Sequence, residues 1–160
     1  MDAVDFERKI VAPAHAAEAA RGLARPLVFT NGVFDILHRG HVTCLAQARE
    51  FGAALVVALN SDDSVRRLDK APGRPINPLA DRLSVVAALG AVDLVSWFDE
   101  DTPLQLIQVL HPDVLVKGGD WPVERIVGAR EVLAWGGQVH SIPFLHERST
   151  TATLARIRRS

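Results

Sequence analysis

Apolar runs recur at Leu27 to Thr30, Ala54 to Leu59, Val92 to Trp97, Val114 to Val116 and Val139 to Ile142, with helical spacing in the gaps between them. Ala54 to Leu59 constrains the fold most. It is apolar throughout, as suits a strand covered on both faces, and helices packed on either side of a parallel sheet provide that cover. The intervening segments read as helices: His41 to Phe51, closed by Gly52; Leu79 to Gly90, opened by Asn77-Pro78; a helix opened by Thr102-Pro103 and reaching Leu110; Val123 to Trp135; and a last one from near Ser149 towards Arg158. Such alternation through short connections predicts an α/β chain, a Rossmann-like parallel sheet of about five strands with helices on both faces. Ahead of it, Asp5 to Ala24 is rich in Ala and Glu, with Pro13 near the start of an Ala-dense stretch that reads as a helix ending at Gly22. Residues 1–24 are therefore expected as a helical lead-in and 25–160 as the α/β domain. Arg66 to Pro78, with its Lys, Arg, Gly and three prolines, is expected to be the least ordered stretch.

An open sheet of this kind binds ligands at the C-terminal ends of its strands, near the point where strand order reverses. The loops after Thr30, Leu59, Trp97, Val116 and Ile142 are therefore where chemistry is expected. Composition narrows that chemistry. Eighteen Lys+Arg against 19 Asp+Glu leave a net charge of -1, so no global basic field argues for a nucleic-acid partner and phosphate recognition has to be local. The one cysteine, Cys44, permits neither an intrachain disulfide nor a cysteine-based zinc site and reads as a small core residue. No apolar run reaches the roughly 20 residues of a bilayer span, and Met1 to Arg21 lacks a basic start followed by an apolar stretch; a cytoplasmic chain with no membrane partner is expected.

The densest signal is Thr30-Asn31-Gly32-Val33-Phe34-Asp35-Ile36-Leu37-His38-Arg39-Gly40-His41, between a strand end and a helix start. Gly32 permits a tight turn or a positive φ, and Gly40 removes a side chain where a ligand could approach the first helical turn. Exposed N–H groups and the positive end of the helix dipole favour phosphate there. His38 and His41, three apart, can aim ring N–H groups at the same oxygens and stabilise charge during phosphoryl or nucleotidyl transfer. Metal ligation and plain helix-start polarity are the alternatives for this pair. The chain has neither a G-x-x-x-x-G-K-[ST] loop nor a G-x-G-x-x-G turn, so the phosphate site is of another kind.

Asn31 to His41 resembles the H-x-G-H signature of the cytidylyltransferase-like nucleotidyltransferases. Further matches follow in order: Asn60-Ser61-Asp62, Arg74-Pro75-Ile76-Asn77-Pro78-Leu79 leading to Arg82, Val116-Lys117-Gly118-Gly119-Asp120-Trp121, and Ser149-Thr150-Thr151. Arg74 to Leu79, Asp101-Thr102-Pro103 and Val116 to Asp120 are most similar to the branch that adenylylates a heptose 1-phosphate for lipopolysaccharide core synthesis. The resemblance implies ATP and a sugar 1-phosphate as substrates, Mg²⁺ as cofactor with no dedicated protein metal site, a homodimer or higher homo-oligomer, and a sugar kinase carried on another protein. Rival readings are a CTP-dependent glycerol 3-phosphate or flavin-phosphate enzyme, a nucleotide-binding sensor without turnover, and a structural metal protein built on the two histidines.

Roles follow in part from the resemblance. His38 and His41 contact the triphosphate, and a loop lysine, Lys70, either closes over it or belongs to a solvated charged loop. Thr30, Asn31, Gly32, Phe34 and Gly40 line the nucleotide, although Phe34 in an apolar stretch reads more readily as core. Lys117, Gly119 and Asp120 follow a buried strand; Asp120 either accepts ribose hydroxyls or helps hold Mg²⁺. Ser149, Thr150 and Thr151 suit the β- and γ-phosphates at a helix start, where N-capping explains one of them but not three. Arg148 stands where the family has an apolar or small residue. Asp35, Arg74, Asn77, Arg82 and Trp121 are placed at the substrate, with Asp35 treated as scaffold first, Arg82 either binding phosphate or pairing with an acid, and Trp121 either flanking the ligand or lying on the surface.

Overall fold

The computed structural model describes residues 5–68, 72–146 and 149–159. β2 (Ala54–Asn60) is buried at every position, as its unbroken apolar run requires. Beside it in parallel lies β1 (Leu27–Gly32), in register from Leu27 opposite Ala54 to Gly32 opposite Leu59. β3 (Leu94–Phe98), β4 (Val114–Gly118) and β5 (Gln138–Ile142) complete a parallel sheet of order β3-β2-β1-β4-β5. The chain winds outward from β1 to β3, then crosses back to place β4 on the other side of β1. The β1/β4 boundary is thus the point where winding reverses. There the two strands pair only at Val28 with Val114 and Phe29 with Leu115, so the ladder stops short of Thr30, Asn31 and Gly32.

Strand alternation feeds two cores. On one face Phe29, Val56, Leu94 and Leu115 pack with α1 (Pro13–Arg21), α5 (Leu104–Leu110) and α6 (Ala129–Ala134) through Ala16, Ala20, Ile107 and Val132. On the other, Val28, Val57, Val95 and Val116 pack with α2 (Arg39–Arg49) and α4 (Leu79–Ala87) through Leu45, Ala48, Leu83 and Val86. The N-terminal segment is built into the fold: Val11 N–H donates to the Val95 carbonyl at 2.9 Å, and Ile10 bridges to Val95.

Two local departures from the sequence reading have physical causes. α3 (Asp62–Arg67) begins where only turn and capping residues were apparent; Ser61 caps it by accepting from Ser64 N–H, and Asp62 is tied to Arg82. Val123 to Trp135 is not one helix, because Gly128 takes φ +86 between a 3-10 turn at Val123–Arg125 and α6. A Cβ there would lie 2.7 Å from the Ile107 side chain. The last helix, α7 (Thr150–Ile157), is capped by Ser149.

Candidate active site

Above the ends of β1 and β4, which do not pair with each other, lies a cleft of two lobes sharing one wall of Asn31, Gly32, Val33, Lys117 and Trp121. The α2 lobe, about 350 Å³, is lined by Thr30, Phe34, His38, His41, Cys44, Gly118, Phe144 and the start of α7 at Ser149, Thr150 and Thr151. The second lobe, about 300 Å³, extends over the ends of β2 and β3 to Asn60, Phe98, Asp101, Thr102 and Arg125.

His38 is the N-cap residue of α2, and three residues on, His41 turns back beneath it, so the two rings stack at 3.8 Å between centroids. Phe34 meets His41 edge to face at 5.4 Å. Burial, with His38 beside it, pushes the His41 pKa down from 6.5 to about 4, so the ring is neutral near pH 7. Its Nδ1 is buried without a hydrogen-bond partner among the described residues. A buried polar atom at the mouth of a helix N-terminus is a position that an anionic ligand would satisfy.

The glycines serve a purpose the sequence reading did not give them. Gly32 and Gly40 have no positive φ; the left-handed residue of the loop is Phe34, at φ +49. A Cβ on Gly32 would lie 2.9 Å from the Phe34 ring, one on Gly40 would lie 3.0 Å from the His38 ring, and one on Gly119 would lie 2.7 Å from Trp121. The missing side chains seat the protein's own rings, which in turn form the wall of the cleft. Phe34 both packs against the second core and lines the α2 lobe, so its two readings are not exclusive.

Asp35 is the scaffold residue of the loop. Its carboxylate is fully buried and accepts from Arg74 Nε, from Ile76 N–H at 2.9 Å and from Asn77 N–H at 2.9 Å, while its carbonyl accepts from the Asn77 side chain at 2.6 Å. These bonds correct two expectations. The Arg74 to Asn77 end of the expected loose stretch is held down, and Asn77 lies outside both lobes with its backbone N–H and Nδ2 donated to Asp35. Arg74 does line the α2 lobe, with its side chain 7% exposed.

Arg82 is a third correction. Its side chain is fully buried, donating to the carbonyls of Asn77, Val33 and Asn60 at 3.0, 2.9 and 2.8 Å and to Asp62 at 2.7 Å. Of the two roles open to it, acid pairing is the one the structure has. It fastens the loops after β1 and β2 to α4.

After β4, Lys117 lines both lobes and Gly118 the α2 lobe, whereas Gly119 is buried and Asp120 exposed outside both. The turn is tethered by Ser141, whose hydroxyl donates to the Gly119 carbonyl and accepts from Trp121 N–H at 2.9 Å, leaving Trp121 half exposed at the junction of the lobes. At α7, Ser149 accepts from Ala152 N–H at 3.0 Å and Thr150 donates to the Ile36 carbonyl at 3.2 Å, so capping and loop anchoring occupy two hydroxyls while Thr151 stays exposed on the lobe. Cys44 is half-buried and lines the lobe, not the core, with burial raising its thiol pKa against the opposing effect of Lys117. Lys70 and Arg148 lie outside the described residues. The sequence reading missed Phe144, Asp101 and Arg125 as cleft residues; Asp101 did lie in a quoted motif, but Arg125 carried no signal.

No group of three or more His, Cys, Asp and Glu able to hold a metal ion occurs among the described residues. No helix among them is long and apolar enough to cross a membrane.

A parallel sheet with paired histidines at a helix start and a two-lobed crevice at the point of reversal defines an α/β protein of the H-x-G-H type. The chain belongs to the cytidylyltransferase-like family, whose model matches residues 29–151. It is 56% identical over 160 residues to the D-beta-D-heptose 1-phosphate adenylyltransferase of Bordetella bronchiseptica, covering 99% of each chain. It is 53% identical over 144 residues to the Bifunctional protein HldE of Hahella chejuensis, matching 90% of this chain but spanning 30% of that longer protein. Among solved structures, the lipopolysaccharide core biosynthesis protein from Thermoplasma volcanium superposes with a TM-score of 0.62 at 26% identity, over 79% of this chain and all of that one. Pantothenate synthetase from Thermus thermophilus shares the fold, with a TM-score of 0.59 at 19% identity over 87% of this chain and 63% of that one.

Proposed function

We propose that this chain transfers AMP from ATP to D-glycero-β-D-manno-heptose 1-phosphate, releasing pyrophosphate and forming ADP-heptose for lipopolysaccharide core synthesis. The observation that carries the reading is the 56% identity, along 99% of both chains, to a relative bearing that activity in its name. The α2 lobe suits ATP: the helix starts at His38 and Ser149, with the exposed Thr151, suit phosphates, and the half-exposed Phe144 offers the base an apolar surface.

An oxygen of the anomeric phosphate attacks the α-phosphorus in line, the bond from that phosphorus to the bridging oxygen breaks, and the pair of electrons leaves with pyrophosphate. His38 and His41 donate ring N–H groups to phosphate oxygens as charge builds on them. His41, neutral near pH 7, has one ring N–H to donate. Lys117, on the wall common to both lobes, stands where the two substrates meet. Lys70 closes over the triphosphate in this reading. ATP would be taken up as its Mg²⁺ complex, which would supply neutralisation of phosphate charge while His38, His41 and Lys117 hold the phosphates. A consumer of ATP works in the cytoplasm, and that location goes with the proposal.

The test is pyrophosphate release with Mg²⁺, crossing ATP and CTP against heptose 1-phosphate, glycerol 3-phosphate and a flavin phosphate. Release with ATP and heptose 1-phosphate alone is expected, and release with another pair overturns the substrate named. His41→Ala should lower kcat by about 10²- to 10³-fold, the cost of losing one transition-state donor. An unchanged kcat would remove His41 from the mechanism.

A further inference from the structure

The second lobe has a different chemistry from the first. Among the described residues the carboxylate lining the α2 lobe is Asp35, which is buried and taken up by Arg74, Ile76 and Asn77, so no exposed carboxylate among them opposes a polyanion there. The lobe over β2 and β3 is lined by an exposed carboxylate, Asp101, with Thr102 next to it in the chain, by the exposed guanidinium of Arg125 and by Lys117 of the shared wall. An exposed carboxylate repels a triphosphate but accepts hydroxyl hydrogen bonds, and Arg125 together with Lys117 of the shared wall can balance a single phosphate. Trp121, half exposed where the lobes join, gives the C–H faces of a sugar an apolar surface.

Asp101 is also held in place. Arg67, on α3, donates from Nε to Asp101 Oδ1 at 2.8 Å and from its terminal nitrogen to the Asp99 carbonyl, an engagement that leaves Asp101 Oδ2 to a ligand. The volume, about 300 Å³, lies at the small end of the range for small-molecule sites.

We infer that this lobe seats the acceptor, a polyhydroxylated sugar monophosphate, with Asp101 and Thr102 selecting its hydroxyl groups and Arg125 taking its phosphate charge. The inference rests on the nucleotidyl-transfer reading and adds to it the residues that choose the acceptor. With ATP in the α2 lobe, the shared wall of Asn31, Gly32 and Lys117 is where the acceptor phosphate and the α-phosphorus meet. Asp101 and Arg67 are thereby specificity and positioning residues respectively, drawn from elements remote from the H-x-G-H loop.

The experiment is steady-state kinetics of the full chain with both substrates varied, comparing wild type with Asp101→Asn and Arg125→Ala. Both variants should raise KM for the sugar phosphate at least tenfold, with KM for ATP within about twofold and melting temperature unchanged, since both side chains are exposed. Competitive inhibition by the free, unphosphorylated heptose separates the two roles: Asp101→Asn should weaken it and Arg125→Ala should not. A rise in KM for ATP, or no change in either KM, overturns the inference. Should wild type release pyrophosphate only with a different phosphorylated acceptor, the heptose named above falls, and the same KM split measured with that acceptor still decides the lobe.

Discussion

His41 shows how one side chain couples folding to chemistry. Its ring is buried in neutral form, with a pKa near 4 in place of 6.5. Between those values the unfolded chain binds the proton that the folded chain refuses, so stability is present above pH 6.5 and is lost as pH falls towards 4. Urea unfolding midpoints should therefore drop between pH 7 and pH 5, and His41→Gln should flatten that dependence. An identical slope in the variant would assign the loss to other groups. The residue was legible because its motif is contiguous: a strand end, two glycines and two histidines fall within Thr30 to His41. Its neutral state was not, because it comes from packing against Phe34 and His38.

Among elements, those that bury apolar faces were readable and those made by tertiary contact were not. β2 declares itself by its unbroken apolar run, and α2 and α4 by helical spacing. α3 is six residues long and depends on the Ser61 cap, the Asp62–Arg82 pair and the Asn60–Ser64 hydrogen bond, none of which has a periodic signature. Arg74, Asn77 and Arg82 look like solvent-facing polar residues in sequence, and only the approach of Asp35 and of the loops after β1 and β2 turns them into internal ties. The Asp35–Arg74 pair, with side chains 0% and 7% exposed, should accordingly be costly to break. Asp35→Ala strands a buried guanidinium and the two N–H groups of Ile76 and Asn77, for an expected loss of about 3–5 kcal/mol in chemical denaturation. A loss under about 1 kcal/mol would mean the 74–77 segment is held by something else.

For the molecule as a whole, the N-terminal helix is a structural part and not an appendage. Ala16 is fully buried in the core formed with Phe29, Val56 and Ile107. Ala16→Asp places a carboxylate among those side chains, and the chain should lose about 4 kcal/mol or more, seen as a collapse of the thermal transition. A near-native melt would show that α1 is dispensable to the core. The whole-molecule features of the cleft were the least legible in sequence, since its second lobe gathers Asn60, Asp101 and Arg125 from three separate connections that only the strand order brings together.

The short pairing of β1 with β4 leaves a seam at the centre of the sheet that the protein's own backbone does not close. Extending that ladder by a few residues would tighten the most buried part of the fold and, in the same movement, shut the space in which the two lobes meet. Greater stability and retained function therefore pull against each other at Thr30 to Gly32, and gains in one are best sought away from that seam.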